Sequence, residues 1–371
     1  MVEELLVTNG AAASAQHHQQ ISAERAPARI KVVGVGGGGS NCVRRMLRYN
    51  KVSGVSFTMV NTDIKALETY DNDVSIIQIG EKSTRGWDAG GDFKVGARAA
   101  TESATSLRKA LNNSELVFVT AGMGGGTGTG AAPYVAYLAK EMGAMVVGVV
   151  TTPFTFEGSR RRGQALNGVG RLRPYVENLI VIHNDRLLDF VDHDAGMIDA
   201  FRMANEVVTQ GIMSVSELIN IPGEINVDFA DVKSVMRNPG GALMAIGSGY
   251  GQMGPVEAAR QAIANPLLDL SIKGAKGVLF SVKGGQYLTL GGVNAAGELI
   301  ANSVRKDANI FFGMSVDESL GEEVKLTLIA TGLDQDISRH KPSSVTQQQQ
   351  ESGQRKIKPP SLGGLWGRGK K

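Results

Sequence analysis

Apolar and polar positions alternate along this chain in two regimes. In the first half, short unbroken apolar runs at 30–35, 55–60, 74–79, 116–120, 144–150 and 178–182 read as buried strands. Amphipathic stretches between them, including 94–111 and 131–140, read as helices. Apolar strands interleaved with helices predict a parallel sheet covered on both faces, with ligands at the carboxyl ends of its strands. Residues 197–220 form one long amphipathic pattern, with Met197, Phe201, Ala204, Val208, Ile212, Val215 and Ile219 at a spacing of three or four. Gly211 interrupts it at a cost of about 1 kcal/mol against alanine, for no reason visible in the sequence. Beyond Ile221-Pro-Gly223 the strands fall at 242–248, 277–283, 309–316 and 323–331, with helices near 255–264 and 293–304.

The expected organisation is α/β throughout. A disordered extension (1–28) precedes a Rossmann-like parallel-sheet domain (29–196) and a central helix (197–222). A smaller α/β domain (223–332) follows, then a linker and basic peptide (333–371). Composition sharpens this picture in three places. The 371 residues are 42% hydrophobic, enough for a large core, and no apolar run approaches the ~20 residues of a membrane span. One cysteine, Cys42, excludes an internal disulfide and fits a reducing compartment. The net charge of +3 is concentrated in residues 332–371, which hold eight Lys/Arg against three acids. The body is left near neutral, which argues against a nucleic-acid face.

The strongest chemical signal is Gly122-Met-Gly-Gly-Gly-Thr-Gly-Thr-Gly130, between the apolar run at 116–120 and the helix expected over 131–140. Glycines at 122, 124, 125, 126, 128 and 130 let the backbone pass close to a ligand, and a helix N-terminus then offers amides and a positive dipole end to phosphate. Thr127 and Thr129 add hydroxyls. A second glycine run follows the first strand, where Gly34, Gly36 and Gly39 match the G-x-G-x-x-G spacing, with Asp63 as a candidate ribose acid. That spacing alone would fit a nicotinamide oxidoreductase. No G-x-x-x-x-G-K-[ST] is present, so an ordinary P-loop is excluded.

The pair of loops resembles the tubulin/FtsZ family. The resemblance is carried by G-V-G-G-G-G-S-N at 34–41, G-G-G-T-G-T-G at 124–130, T-P-F-T-F-E-G at 152–158, N-D-R-L-L at 184–188 and N-V-D-F-A-D-V at 226–232. It implies a GTP/GDP-binding domain, a central helix, a second domain, and a cytoplasmic GTPase that polymerises head to tail into the mid-cell division ring. Carried over residue by residue, it implies phosphate contacts from Gly37, Gly38, Ala89, Gly90, Gly91, Gly124, Gly125, Gly126, Thr127, Gly128, Thr129 and Gly130. It places Asn41 on the base side, Glu157, Arg161 and Asn184 on the sugar and phosphate side, Phe201 on the guanine face, and Asn205 on the guanine edge. Read from spacing alone, Phe201 is equally a core residue of its helix.

Asp228 and Asp231 read locally as the N-cap and first-turn acid of the helix through Val232 and Met236. The resemblance gives them, with Asn226, a catalytic role: the loop enters the next subunit's nucleotide site and orients the attacking water. Magnesium is implied as a cofactor held mainly by phosphates and water, with no protein ligand set. The basic peptide 359–371, with Trp366 among leucines, reads as a docking segment for a membrane tether or another division protein. The chain departs from the family pattern at Arg85-Gly-Trp-Asp-Ala-Gly-Gly-Asp-Phe93. There Asp88 and Asp92 replace a glycine and an asparagine, and carboxylates repel a triphosphate at close range. The departure keeps a second expectation open, a relative that binds nucleotide and polymerises but hydrolyses slowly. His183 stands where the family has proline.

Overall fold

In the computed structural model Ile30–Val35 (β1) runs straight into Gly36–Tyr49 (α1), and Val55–Asn61 (β2) and Val74–Gln78 (β3) follow. The structure describes residues 27–49, 53–68, 73–188, 196–221, 223–264, 271–285 and 288–333. The expectations for residues 1–26, for the linker and for the peptide 359–371 lie outside them. Phe93–Glu102 (α2) and Ala104–Leu111 (α3) stand where one helix was expected. The break is at Ser103, whose hydroxyl accepts from the Gly80 amide at 3.1 Å. Next come Leu116–Gly122 (β4), Gly126–Glu141 (α4), Met145–Thr152 (β5), Ser159–Leu172 (α5), Asn178–His183 (β6) and the short Asn184–Leu187 (α6). The long helix is Met197–Asn220 (α7). It leads to Phe229–Met236 (α8), Gly241–Tyr250 (β7), Gly254–Ile263 (α9), Gly277–Gly284 (β8), Leu290–Ser303 (α10), Asn309–Val316 (β9) and Glu323–Leu333 (β10).

The ten described strands join one sheet in the order β3-β2-β1-β4-β5-β6-β7-β10-β8-β9. The first six are parallel, as unbroken apolar strands require. β10 pairs antiparallel with both β7 and β8. The two halves meet through a single parallel pair, Ile180 opposite Ala242.

Burial follows the strand pleat. Val33, Val35, Val117 and Val119 face one side of the sheet and pack with Ala131, Ala132 and Val135 of α4. Val32, Phe118, Val147 and Ile180 face the other side, and Val208 and Ile212 of α7 pack there. The same cluster reaches Met244, Leu279 and Ile329, so α7 is the seam between the parallel half and the mixed half. Burying each large aliphatic side chain along it contributes about 1.5–3 kcal/mol. Gly211 now has its reason. A Cβ there would lie 1.8 Å from Met244 Sδ, so the glycine lets α7 sit down on β7.

Candidate functional site

The order β3-β2-β1-β4-β5-β6 sends the chain to opposite sides after β1 and after β4, which opens a crevice at the carboxyl ends of those strands. The two strands are neighbours, with Val35 opposite Ala121. Their glycine runs, at 36–39 in the first turn of α1 and at 122–130 leading into α4, therefore lie side by side and floor a cleft of about 710 Å³.

The glycines divide by what a side chain would meet. At Gly126 a Cβ would lie 3.0 Å from the Asp92 amide nitrogen, and at Gly130 it would lie 2.1 Å from the Phe93 carbonyl oxygen. These glycines admit neighbouring backbone. Packing likewise accounts for the dinucleotide-like spacing: a Cβ at Gly34 would meet Gly39 O at 2.3 Å, and one at Gly39 would meet Thr120 O at 2.4 Å. Asp63 is engaged locally, accepting from Lys65 N at 3.0 Å. At Gly37, Gly90, Gly91 and Gly125, by contrast, a Cβ would find no protein atom within 4 Å, and all four line the cleft. Here the missing side chains leave room for a ligand.

The phosphate-loop helix begins at Gly126, five residues before the expected Ala131, and Pro133 lies inside it rather than in its first turn. Close packing of glycine backbone against α2 and α1 overrides the low helix propensity of glycine. As a result Thr129 is fully buried and accepts from the Gly124 amide at 2.7 Å. Thr129, Gly130 and Ala89 stand behind the cleft wall, while Gly38, Asn41, Gly124, Gly128 and Thr127 are on it. Thr127 Oγ1 shares a hydrogen bond with Thr62 Oγ1 at 2.7 Å and reaches Asp88 Oδ1 at 3.5 Å.

At the other end of the cleft stand Phe201 and Asn205, one turn apart on α7. Phe201 is 39% exposed and meets the buried Phe154 ring edge-on at 5.2 Å, so the apolar stripe of α7 leaves the core before its first turns. Asn205 Oδ1 accepts from the Cys42 thiol at 3.1 Å. Burial pushes that thiol up to about 12, so it stays protonated and donates. On the remaining wall, Glu157 accepts from Phe154 N at 2.8 Å and pairs with Arg161 Nε at 3.2 Å. Asn184 is 5% exposed and borders the cleft, and its Oδ1 has no hydrogen-bond partner among the described residues. His183, in the position of the family's proline, shares a hydrogen bond with Thr152 Oγ1 at 3.0 Å.

Sequence reasoning missed Gln164. Its amide nitrogen lies within hydrogen-bond distance of the carbonyl oxygens of Gly91 (2.9 Å), Gly124 (3.1 Å) and Gly125 (3.2 Å), so its two N–H groups tie the 85–93 loop to the phosphate loop. Nothing in the periodicity of its helix marks it. The altered loop also resolves. Asp92 is the N-cap of α2, accepting from Lys94 N at 2.8 Å, and Trp87 is exposed, whereas Asp88 lines the cleft. Among the described residues, the charged side chains of the lining are Asp88, Glu157, Arg160 and Arg161. A cradle of open glycines, an orphaned buried amide oxygen and an exposed ring together fit a purine nucleoside di- or triphosphate.

Asp228 and Asp231 are elsewhere. Asp228 caps α8, accepting from Ala230 N at 3.1 Å, and Asp231 lies in its first turn. Asn226 accepts from Gly223 N at 2.7 Å and borders a second cleft of about 440 Å³, shared with Glu217 and Ile221 at the far end of α7. Within one chain the structure does not bring these three residues to the glycine loops.

Residues 29–192 match the family model for the GTPase domain of the tubulin/FtsZ family, and residues 240–334 match the C-terminal domain of the FtsZ family. An FtsZ structure from M. jannaschii is 39% identical with a TM-score of 0.79, over 88% of this chain and 96% of that one. An FtsZ dimer from the same organism is 39% identical with a TM-score of 0.78, over 86% and 92%. CetZ1 from Haloferax volcanii, a GDP-bound monomer, shares the fold at 20% identity and a TM-score of 0.72, over 83% and 95%. Family models across both halves and a 39% identical structure covered almost end to end lead to one assignment: the chain belongs to the FtsZ family of tubulin-like GTPases.

Proposed function

We propose that the cleft binds GTP and hydrolyses it to GDP and phosphate within a head-to-tail filament, each cleft being completed by Asn226, Asp228 and Asp231 of the next subunit. One observation carries this reading. The cleft lies at the Phe201 end of α7 and the acids lie beyond its other end. A helix of 24 residues at ~1.5 Å per residue is about 36 Å long, too far for these acids to serve their own cleft. The dimer of the M. jannaschii relative supports self-association. In the filament the Asp231 carboxylate would orient and polarise the attacking water, and the backbone amides of Gly37, Gly125 and their neighbours would hold the phosphates. Magnesium, bound mainly through phosphates and water, would supply charge neutralisation at the leaving β-phosphate.

The reading extends to a cytoplasmic cytoskeletal role in the division ring, with residues 359–371 docking on a membrane tether or a division partner. No described helix is long and apolar enough to cross a membrane. The second reading, a slowly hydrolysing co-filament, is favoured by the presence of Asp88 in the cleft. Phosphate release measured alongside light scattering separates the two. The residue-level test is Asp231→Ala, which leaves the α8 cap at Asp228 intact. It should bind GTP normally and polymerise, with hydrolysis at least 100-fold slower; hydrolysis at the parent rate by normal filaments would exclude the shared site.

A further inference from the structure

We propose that Asp88 is a protein ligand for the divalent cation that accompanies the nucleotide, and that it makes triphosphate binding conditional on that cation. The inference rests on the GTP reading above and deepens it. Two features of the cleft lead to it.

The first is charge. Among the described residues the lining carries two arginines and two carboxylates, so their formal charges cancel. One of the arginines, Arg161, already pairs with Glu157 at 3.2 Å. Amides and the dipole of α4 supply partial positive charge only. A triphosphate entering such a cleft brings about four negative charges and meets one more in Asp88. The described side chains of the lining do not neutralise it, and a divalent cation would.

The second is placement. Asp88 Oδ1 is 3.5 Å from Thr127 Oγ1, and Thr127 belongs to the first turn of α4, at the phosphate end of the cleft. The Thr127 hydroxyl is held from behind by Thr62. A carboxylate and a hydroxyl side by side at a phosphate-binding helix terminus are hard oxygen donors, and magnesium is usually held by one or two carboxylates together with phosphate oxygens. Asp92, the other acid of the altered loop, is committed to capping α2 and does not line the cleft. Of the two acids of the altered loop, the metal role therefore falls to Asp88. With the cation bound, its carboxylate bridges to the nucleotide; with the cation removed, the same carboxylate repels it.

The test uses the full chain, with Asp88→Asn (the same shape without the charge) and Asp88→Gly. Affinities for GTP and GDP are measured in MgCl₂ and again in excess chelator. Loss of one charge repulsion near the phosphates should let both variants bind metal-free GTP on the order of tenfold more tightly than the parent. With magnesium they should bind GTP no more tightly than the parent, and the change for GDP should be smaller. With Mn²⁺ as the probe, electron paramagnetic resonance in ¹⁷O-labelled water should count one more water on the bound manganese–nucleotide in each variant. Equal gains with and without magnesium, or an unchanged water count, would overturn the ligand role. An unchanged response to chelation would show the carboxylate turned away from the phosphates. If the parent bound neither GTP nor GDP in magnesium, the nucleotide reading itself would fail, which is a different result from any of these.

Discussion

The Cys42 thiol is committed to Asn205 Oδ1, so the Asn205 amide nitrogen is the group left to meet a ligand. A donor at that point requires an acceptor on the base. Guanine presents a carbonyl where adenine presents an amino group, so GTP should bind far better than ATP, and Asn205→Ala should cost about 1–3 kcal/mol of GTP affinity. Equal affinity for the two nucleotides in a competition assay would contradict the assignment. The same thiol carries a pH signature. Burial raises it from its ordinary 9.0 to about 12, so the folded state keeps a proton that the unfolded chain releases. Its contribution is intact below pH 9 and declines as pH rises toward 12, by up to about 1.4 kcal/mol per pH unit. Urea midpoints between pH 8 and pH 10.5 should fall less in Cys42→Ala than in the parent; matching slopes would show that another group dominates. The sequence marks Cys42 only as a lone, unbridged cysteine, because its partner is 163 positions away.

At the scale of elements, local pattern was readable wherever one face of a strand or helix met a continuous apolar surface. α7 occupies the expected residues 197–220, since its stripe is sustained over 24 residues. Pattern failed where backbone meets backbone. Glycine-rich sequence reads as loop, yet Gly126, Gly128 and Gly130 are helical, and the contacts that compensate their low propensity come from α1 and α2. Gly211 on α7 differs only in that its close neighbour is a side chain, that of Met244. Gly211→Ala should gain about 1 kcal/mol of helix propensity and lose more by displacing a buried side chain, for a net destabilisation of about 1–2 kcal/mol. Met244→Ala should largely reverse the effect of Gly211→Ala in a double-mutant cycle. Additive melting shifts would mean that the two residues do not press on each other.

For the whole molecule, the joint between the halves matters most. One strand pair and the α7 seam make a single sheet of what the pattern divides into two α/β regions. The same helix separates the cleft from Asp228 and Asp231, and mixing two inactive variants tests the resulting arrangement. Gly125→Asp has open space for its side chain and places a carboxylate among the phosphate amides, so it should fold without binding GTP. It still presents intact acids to a neighbour. Mixed with Asp231→Ala, it should restore hydrolysis at the junctions where its acids meet the other variant's nucleotide. Phosphate release no greater than the sum of the separate variants, with both sedimenting together, would refute completion in trans.

Periodicity and local motifs determined the parallel sheet, the long helix, the two glycine runs after β1 and β4, and the capping role of Asp228. Each of these depends on residues within a few positions of one another and on whether a side chain faces water or protein. Long-range placement decided the rest. Which glycines admit a ligand and which admit a neighbouring helix, the placing of Asp88 beside Thr127 in the cleft, and how Gln164 ties the 85–93 loop to the phosphate loop all depend on residues tens of positions apart in sequence. A chain's hydrophobic pattern specifies which surfaces are buried. Only the folded arrangement specifies what each buried surface meets.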